Sequence, residues 1–247
     1  MNDTPASQYD AAFYAAQVHE SLAAARHYAA RLAEVFAPAA VLDVGCGRGA
    51  WLKAFGETGA ATLVGLDGPW NEGEMIDPLI DFRATDLEAA ARTGWTGERF
   101  DLAMSLEVAE HLPPDTSRGF ARLLCEASDV VMFGAAVPHQ TGTRHINLRR
   151  QSAWAADFAA LGFAPWDLFR PVLWGHPEVP YWYQQDTFLY VKEGAAIEEA
   201  LRSIGTARID RPELMDVVHP DLLDAHASLP VLPSAKRLAK WCCPRPW

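Results

Sequence analysis

Two stretches of the chain hold the residue types best suited to chemistry. In the first, Glu107-Val108-Ala109-Glu110-His111, two carboxylates and an imidazole lie close together, and His139 and His145 follow downstream. Histidine is matched to taking a proton from a hydroxyl near neutral pH. His145 is the first choice for such a base, ahead of His111 and His139. His111 precedes Leu112-Pro113-Pro114, where an imidazole can instead tie the loop to the next helix. Carboxylate and imidazole donors also suit Mg²⁺ or Mn²⁺. Glu107, Glu110, His111 and His145 are therefore a candidate metal set, and a bound cation would lower the pKa of an acceptor hydroxyl. The second stretch, Asp43-Val44-Gly45-Cys46-Gly47-Arg48-Gly49, closes an apolar run with a glycine-rich turn and opens a helix. Glycine lets a ligand approach the backbone closely, and the helix start offers unpaired N–H groups. Asp43 would repel a pyrophosphate there and attract an ammonium group. Asp67, which ends the next apolar run, can accept both hydroxyls of a ribose.

The elements that must position these residues follow from the pattern of the chain. From Ala39, short apolar runs alternate with helical stretches, the signature of a doubly wound parallel sheet. Strands are expected at Ala40–Val44, Thr62–Leu66, Ile80–Arg83, Phe100–Leu106, Val130–Phe133, Phe163–Phe169 and Thr187–Lys192. Helices are expected after the glycine turn and at Leu87–Arg92, Thr116–Ala127 and Gln151–Leu161. In such a sheet ligands bind beyond the carboxyl ends of the strands, where Asp43, Asp67 and Glu107 fall. An alanine-rich helix from about Ser7 to Phe36 precedes the sheet, and Pro38 ends it; Tyr9, Tyr14 and His19 are candidate lid residues on it. After Glu193, Ala195–Gly205 and Arg211–Ser228 read as helices, and Lys236–Trp247 as a basic, aromatic tail.

With these residues in view, the chain resembles the class I S-adenosylmethionine-dependent methyltransferases. Asp43-Val-Gly-Cys-Gly-Arg-Gly49 reads as their first motif and Asp67 as their ribose acid, and the likeness continues through Asp86-Leu87 and Ser105–Leu112. The resemblance implies a Rossmann-like α/β fold: a mostly parallel seven-stranded sheet with an antiparallel edge strand, helices on both faces, and helical extensions. It implies S-adenosyl-L-methionine as cofactor, held by Asp43, Gly45, Cys46, Gly47, Asp67, Gly68, Trp70, Asp86, Leu87, Ser105, Leu106 and Glu107. Asp86 would accept the adenine amino group, and it is equally suited to capping the helix that starts at Leu87. Trp70 packs over the adenine or anchors its own loop. The implied division is 1–38 as a helical cap, 39–193 as the methyltransferase domain and 194–247 as a helical extension and tail.

A narrower likeness rests on Ser105–Pro113, Pro138–Asn147, Arg170–Trp174 and Trp182–Gln185. These segments are similar to a bacterial subfamily associated with glycosyltransferases and polysaccharide or sugar assembly. That implies O-methylation of a sugar, glycan or glycosylated small molecule. The chain departs from the subfamily at Leu148, where an acid is usual, and Arg149-Arg150 follow, which points to an anionic acceptor. The metal set is similar to that of small-RNA 2′-O-methyltransferases, which makes a metal-assisted RNA enzyme one alternative. A non-catalytic cofactor-binding partner subunit is another, although the motif acids are present.

Composition bounds these readings. The chain has 247 residues, half of them hydrophobic, and a formal net charge of −11. A broad basic surface is excluded, which disfavours nucleic acid as a partner; Arg144, Arg149 and Arg150 form one local basic patch. No apolar run is long enough to span a membrane, and the N-terminus lacks signal-peptide character. The spacing of Cys46, Cys125, Cys242 and Cys243 suggests neither a disulfide frame nor a zinc site, consistent with a reducing cytoplasm. The sequence leaves the oligomeric state open.

Overall fold

A computed structural model describes residues 11–227. Seven strands form one sheet in the order β3-β2-β1-β4-β5-β7-β6. They are β1 Ala40–Val44, β2 Thr62–Asp67, β3 Ile80–Ala84, β4 Leu102–Leu106, β5 Val130–Gly134, β6 Phe163–Trp166 and β7 Phe188–Lys192. β1 to β5 run parallel, and β7 is antiparallel to both β5 and β6.

The central strands are continuous apolar runs because both faces of the sheet are covered. Every residue of β4 and β5 is buried. Alternate residues feed two separate cores. Val41, Met104 and Met132 join one, with α1 (Ala11–Ala33) and α2 (Ala50–Glu57); Leu42, Ala103 and Val131 join the other, with α4 (Ser117–Ala127) and α5 (Gln151–Ala159). On α1, Ala24, Ala25, Tyr28, Ala29 and Leu32 are buried at helical spacing, the stripe that a packed amphipathic helix needs.

The remaining helices are α3 (Leu87–Thr93), α6 (Arg170–Leu173), α7 (Tyr181–Asp186) and α8 (Ile197–Ser203). Two elements differ most from expectation. The sixth strand stops at Trp166 rather than Phe169. The stretch expected as one helix over Arg211–Ser228 is a 3-10 turn at Pro212–Met215, followed by α9 at Pro220–Ala227. Pro220 lacks an N–H, and its ring disfavours helical backbone at the preceding residue, so the chain breaks there. α9 belongs to a separate small unit beginning at Val218. Tyr9, the side chain of Tyr14, and the tail with Cys242 and Cys243 lie outside the described residues, while His19 is exposed on α1. Among the described residues, no helix is long and apolar enough to cross a membrane.

α3 and α4 meet at Gly119, where an added Cβ would lie 2.1 Å from the Ala91 carbonyl oxygen. Replacing a helical glycine by alanine ordinarily gains about 1 kcal/mol of propensity. Here the overlap wins, and Gly119→Ala is expected to lower stability by about 1–3 kcal/mol, read as a lower urea midpoint with an unchanged slope. A raised midpoint would show that the helices part at no cost.

Candidate active site

The glycine turn after β1 is built from left-handed backbone. Gly45, Gly47 and Gly49 have φ of 90°, 54° and 83°. A Cβ on Gly45 would meet Val108 Cγ2 at 2.3 Å, and one on Gly49 would meet Ile80 Cδ1 at 2.4 Å, whereas Gly47 has nothing within 4 Å. The turn is thus wedged at both ends and open in the middle.

Asp67 ties that turn to the tip of β2. Its Oδ2 accepts from Gly47 N–H at 2.7 Å and its Oδ1 from Gly68 N–H at 2.6 Å. Burial still pushes its pKa up, against the opposing pull of these bonds and of Asn71. Asp43 is almost fully buried, and burial followed by the charge of Asp67 raises its pKa well above the usual carboxylate range. A cationic group arriving beside either acid would favour the charged form.

The other expected cofactor residues sit as follows. The Cys46 side chain turns into the core, with Sγ 2.6 Å from where a Cβ on Gly65 would lie, and burial pushes its thiol pKa up. Only the backbone of Cys46 belongs to the turn as a ligand surface. Trp70 is 73% exposed, and its ring lies against Gly68, 2.0 Å from that residue's would-be Cβ, anchoring its own loop. Asp86 caps α3, accepting from Ala89 N–H at 3.0 Å, with Leu87 beside it half-buried. Ser105 is fully buried and donates to the Val44 carbonyl at 2.7 Å, tying β4 to β1. Leu106 ends β4, and Glu107 follows with a positive φ of 56°.

Beyond the β4 tip the acids gather. Gln140 Nε2 donates to Glu107 Oε2 at 2.7 Å, and Gln185 Nε2 donates to Gln140 Oε1 at 2.9 Å. Glu107 Oε1 and both Asp186 oxygens receive no donor from the rest of the protein. Burial and then the facing Asp186 raise Glu107 well above its usual pKa, and burial does the same to Asp186. A proton shared between the two acids would satisfy both.

Glu110 is fully buried, with neither carboxylate oxygen in a well-formed hydrogen bond. Burial and then Glu107 push its pKa well up, against a smaller pull from the backbone of Glu110 and Ala136. His111 Nε2 stands 3.9 Å and His145 Nε2 4.0 Å from Glu110 Oε1. Each histidine has its Nδ1 against a backbone carbonyl, Arg144 O at 3.4 Å and Gln140 O at 3.2 Å respectively. A carbonyl only accepts, so Nδ1 carries the proton and the Nε2 lone pair is left toward Glu110. Burial and then His145 lower the pKa of His111.

One ligand atom from each of Glu110, His111 and His145 lies within 4.8 Å of the others. Bonds of about 2.0–2.2 Å to a divalent ion would place such atoms roughly 3–4 Å apart, so small shifts would close the set. Glu107, expected in that set, is not part of it; its carboxylate is engaged by Gln140 and Asp186. His139 also stands apart, exposed, with a positive φ of 77°.

The segment carrying these histidines is stitched to the β4 tip. Ile146 and Asn147 N–H donate to the Glu110 carbonyl at 2.9 and 3.0 Å, and Asn147 Nδ2 donates to Ala109 O and Ser117 Oγ. Of the expected basic patch, Arg149 is engaged internally, while Arg144 and Arg150 are exposed. Arg149 pairs with Asp157 at 2.7 Å and lies over the Trp154 ring, and Arg150 reaches Asp216 at 3.8 Å.

Sequence reasoning passed over Asp186 and read Tyr183 only as part of the Trp182–Gln185 segment; both lie on α7. Tyr183 meets α1 through Ser21 Oγ at 3.3 Å, receives a bond from Tyr28 Oη to its carbonyl at 2.7 Å, and lies edge-on to Trp51. The available signal for Asp186 was an acid placed directly before an apolar strand, at its site-facing end.

Residues 14–128 match the family model described as a methyltransferase domain. Those residues are just under half of the chain. The glycine turn, Asp67, Asp86 and the β4 tip all lie within the matched residues. The ubiquinone biosynthesis O-methyltransferase of Bartonella tribocorum is 34% identical over 79 residues, 29% of this chain and 30% of that enzyme. The match therefore spans less than a third of that relative's length. The fold is similar to that of DesVI from Streptomyces venezuelae, with a TM-score of 0.54 at 17% identity over 78% of this chain and 100% of that one. It is also similar to magnesium protoporphyrin IX methyltransferase from Synechocystis, solved with bound SAH, with a TM-score of 0.51 at 16% identity over 75% of this chain and 89% of that one. These likenesses show a Rossmann-like methyltransferase fold.

The buried acid pair gives the protein a pH signature. Asp186 titrates at its ordinary 3.8 when unfolded and well above that when folded. Between those values the native state holds more protons, so stability falls as pH rises. Asp186→Asn removes this term and offers Glu107 an amide donor. The variant is expected to lose less thermal stability than the parent between pH 5 and pH 8. Equal losses would mean that Asp186 is not protonated in the fold.

Proposed function

We propose that the protein is an S-adenosylmethionine-dependent O-methyltransferase acting on a hydroxyl of a sugar, glycan or glycosylated small molecule. The observation that carries the reading is the arrangement at the strand tips: an open glycine turn tied to Asp67 on one side, and the Glu110–His111–His145 group beyond β4 on the other. The cofactor fits the first. Gly47 leaves the turn open, Asp43 is a buried acid suited to a nearby cation, and Asp67 has two oxygens suited to ribose hydroxyls. Asp86, Leu87 and Trp70 are assigned to the adenine side, and Ser105, Leu106 and Glu107 to the side facing the acceptor. S-adenosylmethionine supplies an electrophilic sulfonium methyl when bound.

The chain's own residues do the rest. The stitched 139–150 segment and the β4 tip hold the acceptor in line, the source of much of the rate. His145 Nε2 takes the hydroxyl proton, and Glu110 stabilises the imidazolium that results. The resemblance of Pro138–Asn147 and Trp182–Gln185 to sugar-associated enzymes supports that class, and the net charge of −11 weighs against RNA.

One observation favours a metal-assisted form of the same reaction. Glu110, His111 and His145 would hold a divalent ion through the two free Nε2 lone pairs and a carboxylate oxygen. Such an ion would lower the hydroxyl's pKa, and an Nε2 that binds metal cannot also take the proton. Exhaustive chelation with metal analysis separates the two forms: activity retained without stoichiometric ion leaves His145 as the base.

The decisive experiment is transfer of labelled methyl from S-adenosylmethionine into sugar nucleotides and oligosaccharides, against short RNAs. Label in the sugar pool is expected, and label confined to RNA would overturn the acceptor class. Asp67→Ala should weaken cofactor binding by about 1–3 kcal/mol. His145→Ala should leave that affinity intact and lower turnover by about 10²–10⁴-fold. Near-normal turnover would remove His145 from the site.

A further inference from the structure

A second group of metal-ligating side chains lies away from the strand tips. His27 projects from α1, and His176 and Glu178 come from the turn between α6 and α7. His27 Nε2 stands 3.0 Å from Glu178 Oε2. The two imidazole centroids are 4.1 Å apart with their planes tilted by 52°, and one ligand atom from each of the three residues lies within 4.8 Å of the others.

The turn is preorganised from beneath. Gln184 is buried; its Oε1 accepts from Gly175 N–H at 2.5 Å, and its Nε2 donates to His176 O at 3.2 Å and Val179 O at 2.5 Å. Glu178 N–H donates to His176 Nδ1 at 3.3 Å, a long bond that leaves the ring proton on Nε2; it must give way, with the proton passing to Nδ1, when a cation takes the Nε2 lone pair. The opposite anchor is equally fixed, because Tyr28, next to His27, donates to the Tyr183 carbonyl at 2.7 Å. The His27 and Glu178 side chains are 32% and 65% exposed, so an ion can enter from solvent without unfolding.

We propose that His27, His176 and Glu178 form a binding site for a zinc-class divalent cation that clamps the 174–180 turn to α1. Two imidazoles and one carboxylate select Zn²⁺, Co²⁺ or Ni²⁺ over Mg²⁺ and Ca²⁺, which prefer all-oxygen shells. Tetrahedral bonds of about 2.0–2.1 Å put ligand atoms roughly 3.3–3.5 Å apart, against 3.0 Å between His27 and Glu178 and no more than 4.8 Å for the other pairs. The turn leads directly into α7, which carries Tyr183 and Asp186. A cation here would fix α7 against α1 and so regulate access to the acceptor side. The binding claim itself stands whether or not methyl transfer is the reaction.

The test is Zn²⁺ titration by calorimetry with metal analysis, on the full chain carrying His111→Ala and His145→Ala so that, among the described residues, this is the one such group left intact. One ion per chain is expected, with Mg²⁺ failing to compete. Adding His176→Ala should weaken binding at least about 100-fold, more than the loss of an orienting partner alone causes, and Glu178→Gln about tenfold. In the parent protein, Zn²⁺ should slow amide exchange across 174–180, and His176→Ala should abolish that slowing. Absence of saturable binding in the double variant, or unchanged affinity and exchange in both single variants, would overturn the site. If the double variant fails to fold, the parent and His176→Ala decide it: ion content should differ by one per chain, and equal content would refute the clamp.

Discussion

Covering both faces of the sheet leaves polar groups only one place to gather. Val41 and Leu42, or Met104 and Ala103, point to opposite cores, so no side chain along the middle of β1 or β4 can meet water. Function is pushed to the carboxyl tips, where the backbone leaves the ladder. There Asp67 accepts two backbone N–H groups from separate loops, and Ser105 bonds the Val44 carbonyl across the β1–β4 junction. These bonds fix the tips before any ligand arrives, as a preorganised site requires.

The same confinement concentrates acid. Asp43, Glu107, Glu110 and Asp186 are each pushed well above their usual pKa, burial being the first cause in every case. Two unit charges 4 Å apart repel by about 4 kcal/mol at an effective dielectric of 20, more than a marginally stable fold can spend several times over. The cluster is held by compensation: Gln140 donates to Glu107, a proton shared by Glu107 and Asp186 would satisfy both, and two histidine lone pairs leave Glu110 ready for a cation or an imidazolium.

Much of this was legible in the sequence, for physical reasons. Strands buried on both faces are short apolar runs, and a glycine turn flanked by acids marks the β1 and β2 tips. Cys46 was legible only as a member of the turn, because nothing in the sequence says that Gly65 leaves a hole for its sulfur. Choosing among His111, His139 and His145 needed coordinates as well. The 139–150 segment has no period, and its shape is set by two bonds to the Glu110 carbonyl. Asp186 was hidden for a topological reason. It reaches Glu107 because β7 inserts between β5 and β6, and Gly134, at the end of β5, leaves the space its carboxylate occupies, 2.6 Å from a would-be Cβ.

The helix α7 is where the separate parts of the molecule meet. Asp186 faces Glu107 at the β4 tip, Gln185 donates to Gln140 in the segment after β5, Gln184 clasps the 174–180 turn, and Tyr183 is held by Ser21, Tyr28 and Trp51 from α1 and α2. Successive residues of one short helix thus contact three different surroundings. A rotation of α7 by one residue would break all three sets together, since helical neighbours turn by about 100°. The helix therefore has one seated orientation, and a contact that steadies its N-terminal turn also steadies the carboxyl pair at its C-terminal end.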